Sequence, residues 1–329
     1  MIQLRTKKYY LFASLLVVGI TFAMYRGVDA LVTSSVKKEQ QSEVYLVPVT
    51  QIPVLKEKLA QTNTENVLGE ENFLTLEEFS QTVTAKSVYV EDLDTGTVLF
   101  ERNSERILLP ASTTKLMTAL IALEEYQLND VILVPQLPKL EGLKFEFRVG
   151  EKITVENLLK AALIQSSNDA AYILALSSER GLDGFVARMN ERAKELHLIN
   201  TQYKNPAGFD DDTQRSSAHD LVVLSKVFMK DNFLASVVAI KEAVITDISG
   251  EYEHYLTSTH QLLGVDPTVV GIKTGTTQGA AQVLITQFSR EGHNIIVVVM
   301  GSDDRYLETT RLVDWIFSAY LWIDPKNLI

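Results

Sequence analysis

Cysteine is absent from the 329 residues. That absence excludes a disulfide scaffold and any Cys-based zinc or redox site. Positive charge is also in short supply, with 31 basic residues against 42 acidic ones and a net charge of -11. Phosphate binding needs clustered Lys and Arg, so nucleic acid is not an expected partner. Only five histidines occur. They do not pair at metal-ligand spacing, and no metal or cofactor is expected. What remains is ordinary for a folded globular chain, with 46% hydrophobic and 22% charged residues and enough length for one large domain or two smaller ones.

One apolar run stands out. Arg5, Lys7 and Lys8 precede an uncharged stretch from Tyr9 to Met24, and Arg26 ends it. Cations ahead of an apolar run place the N-terminus in the cytoplasm and the rest of the chain outside. Its sixteen residues span about 24 Å as a helix, short of the roughly 30 Å hydrocarbon core. Both a membrane anchor and a signal-peptide core stay open. Val28-Asp29-Ala30 is a poor cleavage site, which favours the uncleaved anchor. Residues 1–32 are therefore read as cytoplasmic residues plus anchor or signal peptide, 33–83 as a polar spacer, and 84–322 as the folded domain. The expected location is the cell membrane with an extracytoplasmic domain, or secretion if the segment is cleaved.

Order begins near Ala85. Ser87 to Leu93 and Thr97 to Phe100 are β-rich runs around Asp94-Thr-Gly96, the pattern of a hairpin. Leu116, Ala119, Leu120 and Leu123 recur at helical spacing behind Pro110, predicting a buried helix from about Ser112 to Glu125. Thr154 caps a helix through Leu163, Asp169 starts another, and helical patterns cover Leu182 to Leu196 and Ala218 to Lys230. Strands return at Thr268 to Gly275, Ala281 to Phe288 and Asn294 to Met300, and an amphipathic helix carries Leu307 to Ala319. Early and late strands around a helical middle imply an α+β domain: one sheet built from both ends, a separate helical lobe, and a cleft between them.

Three short motifs follow in order: Ser112-Thr-Thr-Lys115, Ser166-Ser-Asn168 and Lys273-Thr-Gly275. The first alone is weak, because Ser-x-x-Lys also occurs at Ser34/Lys37 and Ser35/Lys38 in the polar spacer. Context separates them. Ser112 and Lys115 open an apolar helix, where i and i+3 share a face. A serine hydroxyl needs a base, and a lysine becomes one only when desolvation and a second cation depress its pKa. Lys273 is the candidate second cation. Ser166 and Asn168 sit between helices, where a hydroxyl can relay a proton and an amide can hold a peptide, although both types also cap helices. Lys273 and Thr274 on a strand suit a carboxylate, and Gly275 admits close backbone approach.

The triple resembles that of penicillin-binding proteins and class A β-lactamases. From about Ala85 to Tyr320 the chain is similar to the D-alanyl-D-alanine carboxypeptidase family of low-molecular-mass penicillin-binding proteins. Pro110 to Thr118, Ser167 to Ala171, Met189-Asn190, Asn205 to Asp210, Ser217 to Leu221 and Gly271 to Gly275 carry the likeness. It implies a β-lactamase/transpeptidase-like antiparallel sheet flanked by helices, with an inserted all-helical lobe. It implies removal of the terminal D-Ala from peptidoglycan stem peptides through an acyl-enzyme on Ser112, and covalent inhibition by β-lactams. Lys115 and Ser166 would be catalytic, and Asn168, Lys273, Thr274, Gly275, Thr276 and Arg305 would bind substrate. The oxyanion hole would be the N–H groups of Ser112 and Thr276. Ser167 stands where relatives carry Gly, and Ser258-Thr-His260 where they carry Asn-Thr-Asn. With no C-terminal β domain after residue 322, attachment is expected through the N-terminal helix. A β-lactamase, an endopeptidase on the same scaffold, and a catalytically idle wall-peptide or β-lactam receptor are the alternatives.

Overall fold

The computed structural model describes residues 45–48, 76–138 and 147–323. By contact the chain divides into two units, residues 1–45 with 322–329, and residues 46–321. The fold below belongs to the second unit. The short strands Tyr45–Pro48 and Tyr320–Ile323 straddle the boundaries between the two. The apolar run from Tyr9 to Met24 lies outside the described residues, and among those described no helix is long and apolar enough to cross a membrane.

The central sheet is built from the two ends of the domain, as the strand pattern requires. Its N-terminal part is the hairpin β1 (Ser87–Asp92) and β2 (Val98–Arg102). Its C-terminal part comprises β7 (Val269–Thr277), β8 (Ala281–Arg290) and β9 (His293–Ser302). The order is β2-β1-β9-β8-β7, and every pairing is antiparallel. β9 is central and buried from Ile295 to Ser302, which explains its β-branched run without polar alternation. Glu291 and Gly292, both with positive φ, form the two-residue turn joining β8 to β9.

Helices cover both faces. Ile296, Val298 and Met300 join the main core with α2 (Lys115–Glu125) and α6 (Ala218–Phe228). The alternate residues Ile295, Val297 and Val299 are buried outside that cluster, and α8 (Arg305–Ala319) packs on β8 and β9. Trp315 of α8 stacks on Phe79 at 4.9 Å and meets Phe100 edge-on at 6.0 Å. Phe79 belongs to α1 (Leu76–Gln81), a helix inside the stretch read from sequence as spacer.

The lobe inserted between β2 and β7 holds α2, α3 (Val155–Ile164), α4 (Asn168–Leu176), α5 (Gly181–Glu195), α6 and α7 (Asn232–Val238). Two small hairpins attach to it: β3 (Val131–Leu133) with β4 (Lys152–Thr154), and β5 (Glu242–Thr246) with β6 (Glu253–Thr257). Sequence reading missed α7 and both hairpins. These elements are three to seven residues long, too short for a hydrophobic period to declare itself.

Candidate active site

The helix predicted from Ser112 begins differently: a 3₁₀ turn, Ala111–Thr114, precedes α2. Ala111 has φ 48°, a left-handed value that an alanine adopts only when its surroundings impose it. Two glycines leave room for this turn. A Cβ on Gly208 would stand 1.9 Å from Ala111 O, and one on Gly275 would stand 2.9 Å from Ser112 N. The backbones of the 205–214 loop and of β7 thus close on the turn that presents Ser112.

Lys115 lies one 3₁₀ turn beyond Ser112 and is fully buried. Its Nζ is 3.0 Å from Ser112 Oγ, 2.8 Å from Asn168 Oδ1 and 2.7 Å from Ala207 O. Burial, reinforced by the Lys273 cation, holds its pKa well below the usual lysine range. A neutral amine has two N–H donors and one lone pair. Asn168 Oδ1 and Ala207 O are acceptors, so in the neutral form the two donors go to them and the lone pair is left for the Ser112 hydroxyl. That is the geometry a general base requires.

Ser166 is the hinge between α3 and α4, and its φ of 63° is again left-handed. The capping alternative weighed for this motif falls to a neighbour: Ser167 is the N-cap of α4 and accepts from Ala170 N at 3.1 Å. Ser166 Oγ instead accepts from Lys273 Nζ at 2.8 Å, across 107 residues of chain. Lys273 is buried, and burial followed by the Arg305 cation lowers its pKa to about 7. Neither lysine forms an ion pair among the described residues.

Along β7, Thr274 is buried with Oγ1 2.7 Å from Thr259 Oγ1, and Thr276 is exposed. Arg305, the first residue of α8, donates through Nη1 to Gly275 O and Thr276 Oγ1, each at 2.7 Å. Its guanidinium therefore lies along the strand carrying Lys273. His260 is buried beside the neighbouring strand β8, with Nε2 2.9 Å from Thr286 Oγ1. Burial and the Arg305 and Lys273 cations hold its pKa at about 3, so it stays neutral.

Ser112, Ser166, Asn168, Arg305 and residues 274–278 of β7 and its following turn line a cleft of about 860 Å³ between sheet and lobe. Of the nine residues expected at the site, seven line this space, and the buried Lys115 and Lys273 reach it through their hydrogen bonds with Ser112 and Ser166. Sequence reasoning missed several more. Ala207 and Gly208 come from an Asx turn in which Asn205 Oδ1 accepts from the N–H groups of Ala207, Gly208 and Phe209. Asn205 to Asp210 entered the sequence reading only as part of the family likeness, and nothing local said that a carbonyl of this segment would meet Lys115. Tyr172 and Phe209, with ring centroids 5.9 Å apart, line the cleft together with Pro138. Asp210 links the loop to the β7–β8 turn, accepting from Thr277 Oγ1 at 2.5 Å and Gly279 N at 2.8 Å.

A five-stranded antiparallel sheet with an inserted helical lobe, and the three motifs meeting between them, define the penicillin-binding and transpeptidase class of proteins. The chain is 26% identical to penicillin-binding protein D2 from Listeria monocytogenes, solved in a cefotaxime-bound form, with a TM-score of 0.63 and coverage of 71% of this chain and 98% of that one. Residues 74–304 match the family described as D-alanyl-D-alanine carboxypeptidase, Peptidase S11, and the protein belongs to that family. D-alanyl-D-alanine carboxypeptidase DacF of Bacillus subtilis is 32% identical over 72% of this chain. The chain spans 63% of the length of DacF. A D-alanyl-D-alanine endopeptidase of Pseudomonas aeruginosa is 30% identical over 74% of this chain and 81% of its own length.

Proposed function

We propose that the protein is a D-alanyl-D-alanine carboxypeptidase, removing the terminal D-Ala of peptidoglycan stem peptides through an acyl-enzyme on Ser112. The observation that carries this reading is the Lys115 amine, buried with its donors matched to Asn168 Oδ1 and Ala207 O and its remaining valence 3.0 Å from Ser112 Oγ. In acylation the Ser112 oxygen attacks the penultimate D-Ala carbonyl, and its proton passes to Lys115. The N–H groups of Ser112 and Thr276 stabilise the oxyanion, each such donor contributing about 10²–10³ in rate. Ser166, bonded to Lys273, returns a proton to the leaving amine, and free D-Ala departs. The Ser166–Lys273 pair recovers its proton from Lys115, whose neutral amine then takes a proton from water as it attacks the ester and returns it to the Ser112 oxygen. Lys273, Thr274 and Arg305 hold the terminal carboxylate, and Asn168 holds the peptide backbone. β-Lactams enter the same cleft and acylate the same oxygen.

A β-lactamase needs a further placed base for rapid deacylation. Among the described residues the carboxylate that lines the cleft, Asp210, has both oxygens engaged by Thr277 and Gly279. On this reading the domain of residues 84–322 works outside the cell membrane, held by the N-terminal run from Tyr9 to Met24 across the spacer. The test is D-Ala release from a pentapeptide ending in D-Ala-D-Ala. Cleavage of cross-linked dimers without release from the pentapeptide would make the protein an endopeptidase. Penicillin labelling of Ser112 with neither product would make it a receptor.

A further inference from the structure

Away from the cleft, the segment that leaves β2 packs against the first turn of α6, and three side chains converge there. Glu105, His219 and Asp220 each present one ligand atom, and the three atoms lie within 4.8 Å of one another. His219 Nδ1 is 3.2 Å from Glu105 Oε1 and 3.9 Å from Asp220 Oδ1. The second oxygen of each carboxylate is engaged by the neighbouring turn. Glu105 Oε2 accepts from Asn200 Nδ2 at 2.6 Å, and Asp220 Oδ2 accepts from Asn200 N at 2.8 Å and Thr201 Oγ1 at 2.7 Å. That turn aims the two remaining oxygens at the same imidazole nitrogen.

Asp220 is 1% exposed, and neither its Oδ1 nor His219 Nδ1 has a hydrogen-bond partner among the described residues. A buried carboxylate oxygen left unpaired is costly. The cluster calls for a positive charge at its centre, and either a proton or a metal ion can supply it. A proton on Nδ1 would serve Glu105, 3.2 Å away, but leave Asp220 Oδ1 at 3.9 Å without a partner. A metal fits better. Bonds of roughly 2.1 Å to Nδ1 and Oε1 subtend about 100° at the ion, near a tetrahedral angle, and Asp220 Oδ1 needs to close by roughly half an ångström. One imidazole with two carboxylates favours a transition ion over calcium or magnesium.

The surroundings agree. A shallow hollow of about 510 Å³, lined by Glu101, Asn103, Ser104, Glu105 and Arg106, opens beside the cluster. After burial, Glu91, Glu101 and Glu105 push the Tyr89 phenol up, and its ring lies 5.4 Å from the imidazole; Arg106 is the cation among the residues that line the hollow. The positive end of α6 opposes a cation, but its partial charge is about half a unit against two full carboxylates.

We propose that Glu105, His219 and Asp220 form a divalent transition-metal site of the zinc type, with water completing the shell. Bound there, the ion fastens α6 to the segment that leads to the nucleophile. Leu108 and Ser216 already exchange backbone hydrogen bonds at 2.9 and 2.8 Å between the cluster and Ser112. The site stands independently of the hydrolase reading.

The test uses the full chain, stripped of metal with a chelator and titrated with Zn²⁺ by calorimetry and thermal melting. One equivalent should bind, and Tm should rise by roughly 5–10 °C at a hundredfold excess over Kd. Glu105→Gln and His219→Gln should each weaken binding at least tenfold. Both residues are partly exposed and outside the cleft, so both variants should still label with fluorescent penicillin, which reports that the fold is kept. Absence of stoichiometric zinc binding by the parent chain, or binding that either substitution leaves unchanged, overturns the proposal.

Discussion

Two serine–lysine pairs face each other across the cleft. Ser112 and Lys115 are three residues apart with 3.0 Å between Oγ and Nζ, and Ser166 and Lys273 are 107 apart with 2.8 Å. Both lysines are buried and both are depressed in pKa, yet their environments divide the labour. Lys115 has two acceptors besides the serine, one of them a backbone carbonyl, and Lys273 is its second cation. Lys273 has Ser166 and the Thr274 carbonyl, and Arg305 beside it. The first environment favours the neutral amine, which in the proposed mechanism takes a proton. The second keeps a cation within reach of protonation near neutrality, suited to holding an anion and lending a proton through Ser166. The proposed mechanism gives the same two residue types opposite work because their third neighbours differ.

The largest effect that breaks this comparison is a swap of amine for guanidinium. Arginine stays protonated throughout the accessible pH range. Lys115→Arg should therefore remove the base and slow acylation by about 10²–10⁴-fold. Lys273→Arg keeps the charge and should retain much more activity. Stopped-flow labelling with a fluorescent penicillin measures both, with Ser112→Ala as the unlabelled control. Equal losses at the two positions would mean that the division of roles is wrong.

Next in size is Gly208→Ala. The added Cβ collides with Ala111 O, and the position has φ +94°, which an L side chain rarely adopts. The carbonyl it strikes is backbone, which cannot swing away as a side chain can. The variant should lose about 1–3 kcal/mol of stability in urea unfolding and lose acylation out of proportion to that, because the nucleophile's turn is displaced. Gly96→Ala has a positive φ but nothing within 4 Å, so it should cost less and leave labelling intact.

The two pairs also show what a sequence discloses. The i,i+3 spacing of Ser112 and Lys115 could be read directly, as could the sheet's assembly from both ends, since β9 and the β8–β9 turn are written in β-branched runs and Glu291-Gly292. The partners of Lys115 were not legible. Asn168 sits 53 residues away and Ala207, contributing only a carbonyl, 92 away. No residue type advertises a backbone acceptor. Ser258-Thr-His260, which departs from the resembled pattern, turned out to place Thr259 against Thr274 and a neutral His260 under Thr286. The Glu105–His219–Asp220 cluster was invisible for the same reason, because Glu105 reaches the other two only through the fold.

A pH profile sharpens the comparison further. Acylation needs Lys115 neutral, so it should fall on the acid side as pH drops through that lysine's depressed pKa. It needs Lys273 charged, so kcat/KM should fall on the alkaline side with a limb near 7 in the free enzyme. A bound carboxylate stabilises the Lys273 cation, and kcat should show that limb at higher pH. Stability should move the opposite way to substrate capture. The unfolded chain protonates these lysines near the ordinary 10.5, the native state only near 7 for Lys273, so unfolding free energy should rise as pH rises from about 7 towards 10. Lys273→Met should flatten the alkaline limb. A limb unmoved by that substitution would belong to another group.

The smallest effect concerns Arg305, whose position leaves two roles to separate. Its Nη1 already donates to Gly275 O and Thr276 Oγ1, so it braces the edge of β7 whether or not a ligand is present. If it also meets the terminal carboxylate, Arg305→Ala should raise KM for a D-Ala-D-Ala peptide by roughly 10–100-fold, the equivalent of a charged hydrogen bond of about 1.5–3 kcal/mol. It should leave KM for the same peptide amidated at its C-terminus unchanged. A brace alone would change both peptides alike and would lower kcat, because Thr276 N would drift from the oxyanion. The ratio between acid and amide peptides therefore decides whether Arg305 reads the substrate's charge or only steadies the strand that carries Lys273.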